Sequence, residues 1–286
     1  MKKIEDKIFK ILLSGLTLFS VLILSFIVFF ILKESIMFFR EVPITNFVFG
    51  KKWNPLGPPD KLAILPAILG TVYVSIIGII IALPIGLGNA IILSCYINEG
   101  AKRGIRSMVD ILAGIPSVIY GFIGLLVLVR FFEVQFFFPT GESVLAGGII
   151  LSIMILPFII STCEESMEKV YREYLGCSNA LGVSKSYMIR KIVLPNSRRS
   201  ILAATVLALG RGMGETMAVM MVIGNAPIMP KLLGKCQTIP SLIALEMGMA
   251  EVGSLHYHAL YASGFILMMI LLLINLILYI IKRKIV

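Results

Sequence analysis

Six long apolar runs, at 11–32, 63–94, 108–132, 144–163, 201–223 and 257–281, dominate this 286-residue chain. A run of about 20 apolar residues crosses a hydrocarbon core of roughly 30 Å as a helix, because a helix satisfies its own backbone N–H and C=O groups where no water is present. The runs therefore predict an all-α, polytopic membrane protein with six transmembrane helices. The composition agrees, since 58% of residues are apolar and only 15% charged. The first run follows Met1-Lys2-Lys3, as in a signal peptide, but it exceeds the ~7–15 apolar residues of such a segment and is expected to stay as a span.

The basic residues fix an orientation. With six spans both termini share one side. If that side is the cytoplasm, 17 of the 26 Lys and Arg residues lie there, eight lie outside, and Arg211 alone falls deep within a span. Cytoplasmic segments carry the excess of Lys and Arg, so both termini and the 164–200 segment are expected on the cytoplasmic side of the membrane. The net charge of +10 is thus a matter of lipid orientation. Nucleic acid is not an expected partner, because basic and aromatic residues do not interleave as base stacking requires.

Other chemistries find little support. Cys95, Cys163, Cys177 and Cys236 lie apart with no C-x-x-C spacing, so they read as free thiols. His256 and His258 form a His-x-His without further ligands nearby, which favours an interfacial role over metal. A membrane-embedded enzyme would need paired acids, an activated nucleophile or a His-rich ligand set, and none converges. Nor does a phosphate-binding Gly-x-x-x-x-Gly-Lys-Ser/Thr loop occur, so the chain is not expected to bind nucleotide through one. Trp53, in Trp53-Asn54-Pro55, reads as an interfacial aromatic anchor.

Pro66 and Pro84, Gly114 and Pro116, and Pro157 punctuate the second, third and fourth spans. Breaks survive in lipid where neighbouring helices or a water-filled cavity satisfy the freed backbone groups, as along a transport path. Pro and Gly are also simply common in membrane helices. Two units are expected: 1–62, holding the terminus, first span and outer segment, and a core of five spans at 63–286 that contains the cytoplasmic segment 164–200.

That cytoplasmic segment is amphipathic. Ala180-Leu181-Gly182 is followed by nine residues and then Ile192-Val193-Leu194-Pro195. In physical terms Gly182 permits a sharp turn between short helices and Pro195 breaks the path back into the membrane. The pattern resembles the coupling-loop signature of binding-protein-dependent ABC permeases. By that resemblance Ala180, Leu181, Gly182, Ile192, Leu194 and Pro195 serve coupling, and the short helix before the turn sits in a groove of an ATPase. The family's Glu-Ala-Ala triplet would fall at Gly176-Cys177-Ser178, where no acid stands. A helix lying on the lipid surface would look similar.

The fifth run contains Arg211-Gly212-Met213-Gly214-Glu215-Thr216-Met217-Ala218-Val219. A charge at the bilayer centre costs about 2.5–3.5 kcal/mol on insertion scales, so something must offset it. Arg211 and Glu215 are four residues apart and share a helix face, so they can pair. Two readings stay open: a static ion pair that locks helices together, or a guanidinium that draws an anion along the path while Glu215 orients it.

The stretch Arg-x-x-Gly-Glu-Thr-Met-Ala-Val resembles the fifth-span motif of phosphate-specific ABC transporter permeases of the PstC type. Trp53-Asn54-Pro55 leading to Ile64-Leu65-Pro66-Ala67-Ile68-Leu69-Gly70-Thr71, and Gly114-Ile115-Pro116-Ser117-Val118-Ile119-Tyr120-Gly121, are similar to the same type. The resemblance implies a type I importer fold and a path lined by Arg211, Glu215 and Thr216; Ser117 and Tyr120 add hydroxyls. It also implies four partners: a second permease subunit of PstA type, an ATPase dimer of PstB type binding ATP and magnesium, an external PstS-type binding protein, and inorganic phosphate. The chain itself would need no cofactor. The alternative substrate is another oxyanion, sulfate or molybdate.

Overall fold

A computed structural model of the chain describes residues 2–55, 57, 61–136 and 140–284. Among these the secondary structure is helical, apart from two isolated bridges, Asn54 with Lys61 and Gly224 with Cys236. The helices, in order, are α1 (Lys2–Glu41), α2 (Ile44–Phe49), α3 (Leu65–Ile91), α4 (Glu99–Gly114), α5 (Ser117–Ile123), α6 (Arg130–Phe136), α7 (Val144–Ala180), α8 (Lys185–Met188), α9 (Leu194–Met213), α10 (Met217–Ile223), α11 (Ile239–Glu246) and α12 (Leu255–Lys284). Three π-turns, Ile92–Tyr96, Gly124–Val129 and Ile189–Val193, extend α3, join α5 to α6 and join α8 to α9. Among the described residues six helical runs are long and apolar enough to span a membrane: Phe9–Glu41, Leu65–Tyr96, Ser117–Phe136, Val144–Ala180, Lys185–Met213 and Leu255–Ile277.

The centre of the bundle is the pair α3 and α7, and small residues set how closely they approach. A Cβ on Gly78 would lie 3.1 Å from Leu151, one on Gly86 2.6 Å from Ile159, and one on Gly148 2.3 Å from Ile77. Gly78 and Gly86 are eight residues apart, as are Leu151 and Ile159, so two turns of each helix repeat the same knob and notch. Without a hydrophobic drive between helices in lipid, such close packing supplies the attraction. Leu151, Ile155 and Ile159 are buried here with Cys163 and Met167. By contrast α1 keeps Phe19, Leu24, Phe26 and Phe29 exposed, which in a membrane is a lipid-facing surface.

A second core caps one end. Phe38, Phe47, Trp53, Leu62, Ile64, Ile239, Leu242 and Leu260 pack together. The start of α11 is fixed by a capping box between Thr238 and Ser241, and Ile239 donates its N–H to the Thr71 hydroxyl at 2.9 Å. Trp53 is buried in this cap at 7% exposure and donates its indole N–H to Glu246. It is therefore a packing residue and no lipid anchor, because the donor it would have offered to headgroups is taken within the chain.

Several expected boundaries move. The third span begins at Ser117, not at residue 108. Pro116 offers no N–H and holds Ile115 extended, at ψ 128°, so 108–114 belongs to α4, whose Lys102, Arg103, Arg106 and Asp110 make it amphipathic. Pro66 does not interrupt the second span, since it sits in the first turn of α3, where its missing N–H costs nothing. The 164–200 segment is mostly helix: α7 runs 37 residues to Ala180, about 55 Å and far longer than a bilayer core. Pro195 does not break the path back, because Lys185–Met213 is one helical run. Pro195 stands in the first turn of α9, directly after the π-turn in which Leu194 donates its N–H to the Ile189 C=O.

Candidate functional site

The fifth span is where sequence and structure part most. Rather than continuing over 201–223, α9 ends at Met213 and α10 begins at Met217. Gly214 caps α9, and Gly214 and Glu215 donate their N–H groups to Arg211 and Gly212 carbonyls at 3.2 Å in a tight closing turn. Glu215 then accepts from the Ala218 N–H through Oε1 at 3.2 Å, covering an otherwise unpaired donor at the start of α10. Thr216 donates its hydroxyl to the Gly214 carbonyl at 3.3 Å.

The expected pairing of Arg211 with Glu215 is therefore not made. Once the helix breaks between them, a spacing of four no longer places two side chains on one face. Instead the Arg211 guanidinium lies over the Phe158 ring of α7, with Cζ 4.0 Å from its centroid. Phe158 is 14 residues below the first residue of α7, about 21 Å along its axis. Leu207, Arg211 and Gly214 are all exposed, and their spacing puts them on one uncovered face of α9. No carboxylate among the described residues pairs with Arg211.

Ser117 and Tyr120 stand on α5, which packs directly on α10: a Cβ on Gly121 would fall 2.9 Å from Ala218 Cα. Ser117, half-buried, is the first residue of α5. Tyr120 is buried and donates its hydroxyl to the Leu112 carbonyl at 2.8 Å, tying α5 to α4 across the Pro116 break. The structure thus brings Ser117 and Tyr120 to the Glu215–Ala218 end of the fifth span, and it ties up the Tyr120 donor.

At the far end of α7 the chain reverses through 181–184. Gly182 takes φ +64°, and nothing lies within 4 Å of where its Cβ would be, so the glycine is demanded by backbone conformation alone. Ala180 closes α7, while Leu181 and Tyr187 are 79% and 56% exposed. Ile192 and Leu194 are half-buried and Pro195 exposed. Lys185 is held over the rings of Tyr96 and Tyr171, at 4.8 and 5.7 Å, which anchors α8 to the ends of the second and fourth spans.

An ion network with a buried centre and an exposed edge joins α4 to α7 beside this turn. Lys102, 5% exposed, pairs with Glu164 at 3.1 Å and Glu168 at 2.5 Å. Arg172 bridges Glu168 and Glu99. Burial alone would push the Lys102 ammonium down, but its bonds to Glu168 and Glu164 outweigh that and hold it above the ordinary lysine value. Neither this network nor Phe158 was singled out from the sequence. Glu164 and Glu168, one turn apart next to an apolar run, are a usable signal for the network; a phenylalanine inside an apolar run gives none.

His256 binds Glu246 at 2.8 Å and His258 lies 2.8 Å from Glu34, so each of the two histidines has its own carboxylate. Among the described residues no group of three or more metal-ligating side chains gathers.

The break in the fifth span and the reversed turn beyond α7 both lie within one family match. Residues 82–286 match the family described as "Binding-protein-dependent transport system inner membrane component". The chain belongs to that family. It is 37% identical over 241 residues to the "Probable ABC transporter permease protein YqgH" of Bacillus subtilis, covering 84% of this chain and 78% of that protein. It is 38% identical over 249 residues to the "Phosphate transport system permease protein PstC" of Mesorhizobium japonicum, covering 80% and 75%. With the "Probable phosphate transport system permease protein PstC" of Methanocaldococcus jannaschii the identity is 32%, covering 90% of each chain. Among solved structures, a bacterial alginate ABC transporter in complex with a pentasaccharide-bound periplasmic protein matches at TM-score 0.63 and 16% identity, over 94% of each chain. The inward-facing MetNI methionine ABC transporter matches at TM-score 0.60 and 18% identity, over 76% of this chain and 93% of that one. The fold is that of a type I ABC importer permease, and the chain is a transport subunit rather than an enzyme.

Proposed function

We propose that this permease carries phosphate, forming its path with a second permease subunit of PstA type, driven by an ATPase dimer of PstB type and supplied by an external PstS-type binding protein. ATP and magnesium would be bound by the ATPase, and both termini would face the cytoplasm. The observation that carries the reading is the state of Arg211: a guanidinium within a span, on the open face of α9, resting on an aromatic ring rather than on a carboxylate.

An Arg paired to Glu is neutralised, whereas one stacked on Phe158 keeps its full charge. The ring contact offsets part of the cost of burial, by about 0.5–2 kcal/mol, yet leaves the planar donor fork free for two oxygens of a tetrahedral anion. Glu215 takes a different part from the one expected, since it stabilises the start of α10 and so keeps the span open beside α5. Thr216, Ser117 and Tyr120 border that opening. The PstC names of several relatives support phosphate as the anion. At the other end, exposed Leu181 and Tyr187 offer an apolar contact to the ATPase.

Radiolabelled phosphate uptake and complex yield test this together. Arg211→Gln should abolish uptake while the complex assembles in normal yield, and Arg211→Lys, which keeps charge but loses the fork, should retain a part. Because no ion pair is present, exchanging the two charges as Arg211→Glu with Glu215→Arg should not restore transport. Normal uptake by Arg211→Gln would end the reading.

A further inference from the structure

The end of the bundle that carries the Trp53 cap holds a second positively charged site, separate from Arg211. A cavity of about 360 Å³ opens among Val42 at the end of α1, Asn46 on α2, the Gly50–Lys52 segment, Lys61 to Ala63, and Leu255 at the start of α12. Its charged lining is Lys51, Lys52 and Lys61, all exposed, and no carboxylate lines it among the described residues. The three ammonium groups are brought together by the backbone. Asn54 and Lys61 exchange two bonds, N–H to C=O, at 2.7 and 3.1 Å, folding residue 61 back beside 51 and 52. Gly50 permits the wrap: a Cβ there would come within 2.5 Å of both Ala63 Cβ and the Asn46 carbonyl. Holding three like charges around one concavity is unfavourable unless an anion shares it.

We infer that this cavity binds a phosphate-bearing anion. Lysine supplies strongly hydrated point charges suited to tetrahedral oxyanions, and Asn46 adds an amide donor. The cavity is wide for a bare oxyanion and has an apolar floor of Val42, Leu62, Ala63 and Leu255, which fits an esterified phosphate with an apolar body. Its place agrees, since α1 ends and α12 begins beside the cavity and α1 carries exposed Phe29, Ile36 and Met37 just below it, so the lysines stand at headgroup level. Eight of its nine lining residues precede residue 82, where the family match begins.

Binding to the purified full-length chain in detergent tests this with three probes: short-chain phosphatidylglycerol, short-chain phosphatidylcholine and orthophosphate. Phosphatidylglycerol should bind more tightly than phosphatidylcholine. The triple variant K51Q/K52Q/K61Q should weaken it by at least about tenfold, while K51R/K52R/K61R keeps it. Orthophosphate that binds with the same lysine dependence, but without any lipid preference, would make the free anion the source; lysine-dependent lipid binding that orthophosphate does not displace would make it the headgroup. Equal binding of every probe to the wild-type and glutamine chains, with both chains monodisperse and equally heat-stable, would overturn the site.

Discussion

Trp53 donates its indole N–H to both oxygens of the Glu246 carboxylate, at 3.0 and 2.9 Å, across 193 residues of chain. The same carboxylate binds His256, so a single acid fixes the Trp53 segment and the start of α12 to α11. Hydrogen bonds to charged groups contribute about 1.5–3 kcal/mol. Trp53→Phe should therefore lower stability by about 1.5–3 kcal/mol, read as an earlier thermal midpoint in detergent, with uptake at permissive temperature unchanged. Because this is the chain's only tryptophan, its emission reports the cap directly. The wild type should resist quenching by iodide, and Glu246→Ala should make it accessible.

The Lys102 network should behave as a buried pair whose rupture costs more than its removal. Lys102→Met leaves Glu164, 1% exposed, without its nearest cation and should destabilise by about 3–5 kcal/mol. Adding Glu164→Gln should return much of that. Since the Lys102 ammonium is held above its ordinary value of 10.5, its contribution is complete below that pH and fades only as pH climbs through the higher folded value. Thermal midpoints between pH 7 and 10 should thus not depend on Lys102 titration, and a drop centred near neutral pH would contradict the assignment.

At the turn after α7, backbone conformation and side-chain space make separate predictions. Gly182 has room for a side chain but a positive φ, so Gly182→Asn should be tolerated, and Gly182→Val should cost about 1–2 kcal/mol locally. Co-purification with the ATPase should follow that order. Leu181→Glu, which changes an exposed side chain and no backbone angle, should leave the permease folded and remove the ATPase from the preparation.

Orientation can be read from the native thiols. Cys177 is exposed near the α7 turn, while Cys95, Cys163 and Cys236 are buried. A membrane-impermeant maleimide should leave the chain unmodified in intact cells and label Cys177 in inside-out vesicles that lack the ATPase. Labelling in intact cells would reverse the topology.

What the sequence disclosed follows from the range of the forces involved. The six spans were legible because each depends on its own residues, and Gly182 because an l-amino acid other than glycine rarely fits a positive φ. The break after Met213 was signalled by Gly214 but hidden by hydropathy, which is blind to a three-residue interruption. Pro116 announced its break, yet the apolar residues of α4 on its far side made one span seem to continue. Arg211 was legible as a charge out of place, whereas its neighbour was not, since Phe158 lies on another helix and is one of 17 phenylalanines. Trp53 was misread for the same reason: an indole that anchors in lipid and one that binds a distant Glu246 look alike along the chain.

The π-turn at Ile189–Val193 bears on where Arg211 points. A π-turn stores one residue beyond the α repeat, and each residue advances an α-helix by about 100°. Residues after the turn are therefore out of phase by about 100° with a helix counted straight from Lys185. The azimuth that sets Arg211 over Phe158 is a property of that stored residue as much as of α9 itself. Were the turn drawn out into regular α-helix, the fifth span would rotate like a screw and its charge would sweep to a new bearing with no bond in α9 broken.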